Sequence, residues 1–309
     1  MRLLTVGGKV VSVSGKAIEI PDSSGGVYQI AVETSAGASV SASKGTTTVS
    51  GTADTSGSCT LTLYEPGEWS VSASLNGITK TQTVSIGTQN MKMPLYHDTF
   101  ADNTWAEIIA VCRTGITPDS WAVGDSKPMA INGTNYQIDI IGKNHDVYTD
   151  GSGTVPLTFQ LHDCYIEAKQ MYSTDLSGLG WKNTDMRLTY LPAILALMPA
   201  EVKNGIHAVN KKTSEGGNST TIETVSDTLF LLSEVEVFGT NHSSVPGEGI
   251  QYDYYKAGNP KIKKREGVDE FWWERSSASG GMFCRVRDNG QAGASNASSS
   301  LGVSFAFCF

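Results

Sequence analysis

Apolar and polar residues alternate with a period of two through the first third of the chain. From Val27 to Ile86 these runs are short, and Gly, Pro, Asp or Asn separates them, which is typical of antiparallel strands with one buried face. The pair Asn76-Gly77 favours a type I′ hairpin turn. The pattern predicts a small all-β sandwich with strands at residues 27–33, 39–43, 46–51, 59–64, 68–75 and 78–86. Its predicted core is Leu61, Leu63, Trp69, Val71 and Val84.

The pattern changes after Pro94, where helical and strand periods mix. Thr104 and Glu107 have the spacing of a capping box, and the helix that follows would bury Trp105, Ile108, Ile109 and Cys112 on one face. A second helical segment is predicted at residues 185–198, with a break or a new helix at Pro192 and with Leu195 and Met198 facing the core. Strands are predicted at residues 121–125, 136–141, 155–161 and 228–238. Without a βαβ rhythm, this succession indicates an α+β domain.

Two apolar blocks enclose a segment rich in small residues at the end of the chain. Trp272-Trp273 opens the region, and Val303, Phe305, Phe307 and Phe309 alternate at its close, which pins the C-terminus in a sheet. Residues 276–300 between the blocks are mostly Ser, Ala, Gly and Asn. The sequence therefore predicts surface loops on a rigid frame, the usual setting for binding residues.

These patterns divide the 309 residues into three parts. Residues 1–25 form an N-terminal attachment arm, which is either ordered on a partner or a frayed tail, because it has too few apolar residues to fold alone. Residues 26–88 form the sandwich, and residues 89–309 form the α+β domain. The predicted fold class is thus multidomain, a small all-β sandwich followed by an α+β domain.

Charge and composition narrow the function classes. A formal net charge of -8 and a pI of about 5.2 argue against nucleic acid as a partner, because phosphate binding needs a basic face. No window has the ~20 apolar residues of a membrane helix, and the apolar run at Met1–Gly8 is too short for a signal peptide. The five cysteines lack CxxC spacing, so buried free thiols are expected rather than disulfides or a zinc site. No metal and no cofactor is predicted.

Two short motifs carry groups that occur in enzymes. In His162-Asp163-Cys164, neighbouring side chains on a strand point to opposite faces and could not converge on one substrate. Asn144-His145-Asp146 is interpreted as a hydrogen-bonded turn rather than a metal site. We therefore predict that the protein is not an enzyme, with no catalytic residue assigned.

Several motifs carry resemblances to known modules. The sandwich, and residues 66–73 in particular, resembles the Ig-like or carboxypeptidase-regulatory-like modules of bacterial surface and phage tail proteins. Residues 94–309 resemble an uncharacterised domain family common in gut Firmicutes and their prophages. The motifs that carry this second resemblance are Trp121-Ala122-Val123-Gly124-Asp125, residues 138–146, Gly180-Trp181-Lys182-Asn183-Thr184-Asp185-Met186-Arg187, residues 229–239 and Trp272-Trp273-Glu274-Arg275-Ser276.

That family looks like a relative of the C-type-lectin fold shared by formylglycine-generating enzymes and the variable proteins of diversity-generating retroelements. The block Gly302–Phe309 is similar to the end frame of those variable proteins, so the residues before it occupy the place of their diversified, ligand-binding segment. The resemblance implies a ligand-binding surface, on which outward arginines suit protein contacts. Its predicted residues are Glu274, Ser276, Ser277, Ala278, Met282, Arg285, Arg287, Gln291, Ser295, Asn296 and Ser298, with Phe283 also expected outside and Cys284 and Val286 inside.

The resemblance implies a receptor-binding protein of a phage tail. Its partners would be a host-surface protein or glycan and, through the N-terminal arm, other tail proteins; its location would be the virion, after synthesis in the bacterial cytoplasm. A homo-oligomer, with a trimer as one option, would add avidity. Two alternatives stay open: a bacterial surface adhesin, and a formylglycine-type oxidase with Cys284 and Cys308 as its cysteine pair.

Overall fold

The chain divides into two units, Met1–Tyr96 and His97–Phe309, close to the predicted boundary between residues 88 and 89. The computed structural model describes residues 2–3, 5–6, 9–10, 12–13, 16–17, 19–20, 28–86, 89–92, 95–175 and 178–309. The predicted arm, residues 1–25, lies largely outside the described residues. Its described parts are two-residue strands that pair β1 with β6, β2 with β3 and β4 with β5, namely β1 Arg2–Leu3, β2 Thr5–Val6, β3 Lys9–Val10, β4 Ser12–Val13, β5 Lys16–Ala17 and β6 Glu19–Ile20.

The first unit contains the predicted sandwich. Its described strands form one sheet in the order β10-β7-β13, in which β13 runs parallel to β7, and a second in the order β12-β11-β8-β9. Each of the six predicted runs matches a strand to within one or two residues. The strands are β7 Tyr28–Glu33, β8 Ser39–Lys44, β9 Thr47–Thr52, β10 Ser58–Leu63, β11 Glu68–Leu75, β12 Ile78–Ser85 and β13 Gln89–Lys92.

The sandwich core is close to the predicted one. Leu61, Leu63, Trp69 and Val71 are at most 2% exposed, and Val84 is half-buried against them. The β11–β12 turn has φ of 48° at Asn76 and 90° at Gly77, as a type I′ turn requires. The alternation of the sequence was therefore sufficient to predict both the strands and their buried face.

The second unit is built on an antiparallel sheet in the order β14-β15-β16-β24. The last strand, β24, pairs with β16, whose five residues are all buried. Phe159 of β16 stacks on Phe307 with centroids 5.3 Å apart, and Phe309 meets Trp105 edge-on at 6.0 Å. The strands of this sheet are β14 Ser126–Ile131, β15 Thr134–Lys143, β16 Leu157–Leu161 and β24 Ala306–Cys308.

Five α-helices and further small sheets complete the described part of this unit. The helices are α1 Trp105–Cys112, α2 Leu191–Leu197, α3 Ala200–Gly205, α4 Glu234–Phe238 and α5 Asp253–Lys256, with 3-10 turns at Phe100–Asp102 and Trp181–Asn183 and a π-helix at Met186–Tyr190. The remaining strands pair β17 with β18 and β19 with β20, and β22 lies between β21 and β23. They are β17 Val209–Ser214, β18 Ile222–Asp227, β19 Lys263–Arg265, β20 Val268–Glu270, β21 Trp272–Ser277, β22 Met282–Val286 and β23 Ala292–Asn296.

The sequence correctly predicts the start of helix α1 and the helix break at Pro192. Thr104 and Glu107 form the predicted capping box of α1. Pro192 stands in the first turn of α2, directly after the π-helix, so the predicted break is confirmed. Of the two residues expected to face the core, Met198 is buried and Leu195 is half-buried.

Two predicted strands are wrong. Residues 121–125 form a turn in which the Asp125 carboxylate accepts a hydrogen bond of 2.9 Å from the N–H of Ala122, and Gly124 has φ of 100°. Residues 228–238, expected as one strand, contain helix α4. This helix starts because the Ser233 hydroxyl accepts from the N–H of Glu236 while the Glu236 carboxylate accepts from the N–H of Ser233, and this capping box outweighs the β propensity of the apolar run.

Candidate functional site

Strand β21 and the residue after it are interior, so four predicted ligand-binding residues are not at the surface. Glu274 and Ser276 are 0% exposed, Ser277 is 1% exposed and Ala278 is 2% exposed. The prediction of a surface position for these residues after the Trp pair is therefore wrong. The pairing of β21 with β22 shifts register between Trp273 and Ser277, and both faces of β21 are covered. These four residues therefore cannot contact an external ligand in this structure.

Trp272 and Trp273, the first of the two predicted apolar blocks, are fully buried. Each indole N–H reaches a backbone carbonyl at 2.8 Å, that of Lys261 for Trp272 and that of Lys169 for Trp273. Phe305, in the second apolar block, is 0% exposed. Both apolar blocks therefore lie in the core, and the segment between them is held at its two ends.

The hairpin of β22 and β23 carries the exposed part of the predicted surface. Phe283, expected outside, is 1% exposed, because the two faces of β22 are both partly covered. Arg285 is half-buried and Arg287 is exposed. The turn between the strands is closed by hydrogen bonds from the N–H of Arg287 to the carbonyl of Gln291, 2.7 Å, and from the N–H of Gly290 to the carbonyl of Arg287, 2.8 Å.

The two arginines are ordered by their neighbours. The Arg285 guanidinium lies over the Phe271 ring, 4.1 Å from its centroid, and its Nε donates to the carbonyl of Ala294 at 3.2 Å. Arg287 lies across Gly293, where an added Cβ would be 2.9 Å from the Arg287 Nε. Partial burial, and then the charge of Arg287, lower the pKa of Arg285 from its usual value. Two cations are thus held side by side on one face of the hairpin.

The remaining predicted residues fall on both faces. Register places Ser295 opposite Phe283, on the face of the arginines, and Met282 opposite Asn296 on the other face. Gln291 is exposed in the turn. The remaining predicted residues therefore fall into two groups rather than one patch. Arg285, Arg287 and Ser295 lie on one face of the hairpin, and Met282 and Asn296 lie on the other.

The segment that follows β23 is hydrogen-bonded to the loop that contains Asp175. The N–H of Ser298 donates to Asp175 at 2.9 Å. The backbone and side chain of Ser298, together with the Asn296 side chain, lower the pKa of Asp175. The end of β23 is therefore anchored by hydrogen bonds.

A buried network of charged residues includes Arg275 of β21, the strand that pairs with β22 of the hairpin, and none of the sequence patterns above predicts it. Lys211 Nζ lies 2.7 Å from Asp146 Oδ1 and 2.8 Å from Glu236 Oε1. Tyr252 donates to Asp146 at 2.8 Å. Arg275 forms a bidentate pair with Glu236. The side chains of the charged members are at most 3% exposed, so each charge depends on its partner.

The ion pairs determine which groups in this network are charged. Burial alone would raise the pKa of Asp146, but Lys211 and Thr158 hold it down to about 2. Burial likewise opposes ionisation of Glu236, and Arg275 and Lys211 lower its pKa. Asp146 and Glu236 are therefore the carboxylates that match the two buried cations.

Three more groups of low exposure lie beside this network. Burial, followed by the charges of Glu234 and Glu248, raises the pKa of Glu274 well above its usual value. Burial also raises the pKa of Glu248 and, together with Glu274, that of the Cys284 thiol. Acidic groups thus outnumber the cations at this place in the described core.

The two motifs with enzyme-like groups do not form a catalytic cluster. His162 Nδ1 lies 2.7 Å from Asp139, and Asp163 instead accepts from the N–H of Lys264 at 2.7 Å. Burial raises the pKa of Cys164 to about 12, which leaves its thiol protonated at neutral pH. The His162 and Asp163 side chains therefore have different partners. Strand β16 ends at Leu161 and residues 162–163 form a bend, so the strand alternation assumed for this motif does not apply.

The Asn144-His145-Asp146 motif is a bend rather than the predicted hydrogen-bonded turn, because its backbone hydrogen bonds run to Val155 and Pro156. Asn144 has φ of 53°, and His145 stacks on Tyr252 with centroids 3.9 Å apart. Asp146 belongs to the buried network. The cysteines follow the prediction: all five are free and buried.

Cys284 and Cys308, the pair considered for an oxidase, have different surroundings. Cys284 Sγ lies within 4.8 Å of a carboxylate oxygen of Glu234 and of Glu274. Cys308 Sγ lies 3.6 Å from Thr158 and 3.7 Å from Asp146. Burial raises the pKa of both thiols. Neither thiol therefore has the lowered pKa of a reactive cysteine.

Comparison with known proteins finds that one family model matches part of this chain. Residues 158–309, just under half of the chain, match the model of a family described as "Domain of unknown function (DUF6273)". This match runs from β16 to the C-terminus and includes the hairpin, β21 and α4. No curated protein and no solved structure shows significant similarity to the chain. Among the described helices, none has the length and apolar character needed to cross a bilayer.

Proposed function

We propose that this protein is a receptor-binding protein of a phage tail that recognises a host-surface protein or glycan with the hairpin of β22 and β23. The observation that carries the proposal is the pair Arg285 and Arg287, held side by side on a partly exposed face. Arginine is enriched where protein surfaces bind, because its planar group makes several hydrogen bonds and stacks on rings. Ordering before binding also lowers the entropic cost of recognition.

The surrounding architecture supports a display role. The hairpin lies between the buried strand β21 and the buried C-terminal residues 302–309, so its outer side chains can change while the frame below stays fixed. We propose that this unit is a C-type-lectin-like domain and a target of a diversity-generating retroelement. The variable positions would then be the exposed ones, and the buried Glu274, Ser276, Ser277 and Ala278 would belong to the constant frame.

The first unit has the features of a spacer in this proposal. Two sheets enclose an apolar core of aliphatic and Trp side chains, and we propose that it is an Ig-like module that separates the binding unit from the tail. Attachment to other tail proteins would fall to residues 1–25. A homo-oligomer would multiply the effect of a small binding face.

Cell binding tests the proposal directly. The labelled full chain is titrated onto intact cells of a panel of gut Firmicutes, and the double variant Arg285→Ala/Arg287→Ala is compared with Arg113→Ala, which removes an exposed arginine at the end of α1. We expect the double variant to bind about 5- to 150-fold more weakly, as ~1 to 3 kcal/mol implies. Equal binding by both variants, with cells that bind the parent chain, contradicts the assignment of the binding face.

Diversification has its own test. The gene is sequenced from many related phages or prophages, and substitutions are mapped onto the structure. We expect changes concentrated at the exposed positions among residues 279–300, with Phe283, Cys284 and Val286 constant. Changes spread evenly over buried and exposed positions would remove the retroelement part of the proposal and leave the binding part to the cell assay.

A further inference from the structure

Glu274 is a buried carboxyl group without a partner. Its side chain is on β21, the residue is 0% exposed, and neither carboxyl oxygen has a hydrogen-bond partner among the described residues. A carboxylate in such a place costs far more free energy than a protein interior normally tolerates. Either a proton or a cation must therefore neutralise it.

The two cations of the buried network do not supply this charge. Lys211 is bound to Asp146 and Glu236. Arg275 donates to Glu236 and to the carbonyls of Lys212, Leu231 and Glu248, and these bonds use its Nε and both of its Nη atoms. Neither side chain donates a hydrogen bond to Glu274. The unpaired carboxyl group is thus left with its other neighbours.

Those neighbours are metal-ligating groups. One carboxylate oxygen each from Glu234 and Glu274 and the Sγ of Cys284 lie within 4.8 Å of one another, and all three residues are buried. Ligands around a tetrahedral zinc ion, with Zn–S near 2.3 Å and Zn–O near 2.1 Å, are roughly 3.6 Å apart. Small side-chain rotations would bring the three atoms to that separation.

The Glu234 carboxylate is already oriented as a ligand would be. Its Oε2 accepts from the N–H groups of His242, Ser243 and Ser244 at 2.8, 3.0 and 2.9 Å, and from the Ser244 hydroxyl at 2.7 Å. Its Oε1 accepts from the N–H of Ser243 at 3.1 Å. The loop therefore fixes the orientation of the Glu234 carboxylate, as outer-shell groups usually do for a metal-binding carboxylate.

We propose that Glu234, Glu274 and Cys284 bind a divalent transition-metal ion, with zinc the best match to two carboxylate oxygens and one thiolate. Binding releases to solvent the proton of the Cys284 thiol, which otherwise hydrogen-bonds to Glu234, and the proton of Glu274. Three ligand charges of -1 and one of +2 leave a net charge of -1, which the positive charge of nearby Arg275 partly offsets although Arg275 is hydrogen-bonded to Glu236. Because the ligands come from α4, β21 and β22, the ion would connect three elements beneath the proposed binding face and would enter during folding.

Metal analysis of the full chain tests this site. The protein is produced without an affinity tag in zinc-supplemented medium and analysed by plasma mass spectrometry, next to Glu274→Gln, Cys284→Ser and the control Cys112→Ser, which changes a buried thiol in α1. We expect about one zinc per chain in the parent and the control, and less than a tenth of that in the other two variants. Stoichiometric zinc in all four proteins places the metal elsewhere and overturns the proposal.

Two measurements keep the test decisive if a variant does not fold. The parent chain, refolded with Co²⁺ after denaturation in chelator, should gain the near-ultraviolet absorption of a thiolate–cobalt bond, and refolding with chelator should lower its melting temperature. A parent chain that contains no metal, shows no such band and melts at the same temperature with and without chelator would falsify the proposal, because Glu274 then holds a proton. Failure of cell binding by the arginine variant would not affect this result.

Discussion

Arg275 and Glu236 form a bidentate ion pair in the interior of the second unit. Nη2 of Arg275 lies 2.9 Å from Oε1 of Glu236 and Nη1 lies 2.5 Å from Oε2, and the side chains are 0% and 3% exposed. The same Glu236 carboxylate also caps helix α4 through the N–H of Ser233. One carboxylate therefore joins strand β21 to the start of α4.

Removal of Arg275 should be strongly destabilising. Arg275→Met retains much of the side-chain volume but leaves Glu236 with Lys211 as its remaining cation, and the loss of one partner of a buried pair costs about 3 to 5 kcal/mol. The free energy of unfolding from urea titration checks this value. The control Arg113→Met, at an exposed position, should change stability by less than ~0.5 kcal/mol. Similar losses in both variants would show that the pair contributes little.

Capping boxes provide a matched comparison between two helices. Ser233→Ala in α4 removes a cap whose hydroxyl also donates to the carbonyl of Glu248 at 3.0 Å in the interior, whereas Thr104→Ala in α1 removes a cap in a partly buried setting. We expect a loss of about 1 kcal/mol for Thr104→Ala and roughly 2 to 3 kcal/mol for Ser233→Ala. In Ser233→Ala the fully buried N–H of Glu236 loses its acceptor, and the Glu248 carbonyl loses one of its two donors and keeps only Arg275. Thermal and urea unfolding of both variants measure the difference, and a smaller loss for Ser233→Ala contradicts the argument.

Short-range signals predicted much of the fold because the interactions they describe are short-range. Asn76-Gly77 determines a turn by its own backbone preferences, and the capping box of Thr104 and Glu107 spans a single helical turn. The same signal exists at Ser233 and Glu236. The surrounding apolar run also suits a strand, but here the local cap prevails over β propensity.

The site could not be predicted in the same way because its contacts are distant in sequence. Lys211 and Asp146 are 65 residues apart, and Arg275 and Glu236 are 39 apart. The residues that directly follow Trp272-Trp273 are polar or small, which predicts a surface position, but their burial depends on elements such as α4 that pack there only in the folded chain. Glu274 is therefore predicted at the surface, although it is 0% exposed in the structure.

The hairpin arginines and the C-terminal block should respond differently to mutation. Arg285→Ala/Arg287→Ala removes side chains that are half-buried and exposed, so we expect a stability loss of at most about 1 kcal/mol, most of it from the contact of Arg285 with Phe271. Phe305→Ala empties a fully buried position and should cost ~3 to 5 kcal/mol. Chemical denaturation of the two proteins gives the comparison. An arginine variant as unstable as Phe305→Ala would mean that these side chains support the fold rather than the surface.

Asp146 should make the protein sensitive to acid in a defined pH window. Burial is more than offset by Lys211 and Thr158, and the pKa of Asp146 falls from 3.8 to about 2. Because a carboxyl group with a lowered folded-state pKa stabilises the protein when ionised, this contribution is complete above pH 4 and is lost as the pH falls towards 2. The difference in pKa corresponds to about 2 to 3 kcal/mol at most.

The variant Asp146→Asn isolates that contribution. It is less stable than the parent at neutral pH, because Lys211 loses an ion-pair partner, but it lacks the titrating group. Unfolding free energies of both proteins at pH 4.5 and pH 2.5 should show a parent that loses ~1.5 kcal/mol more than the variant over this interval, since the other carboxyl groups are common to both. Equal losses would mean that Asp146 titrates in the folded protein near its ordinary pKa, and the ion pair with Lys211 would then be too weak to organise the buried network.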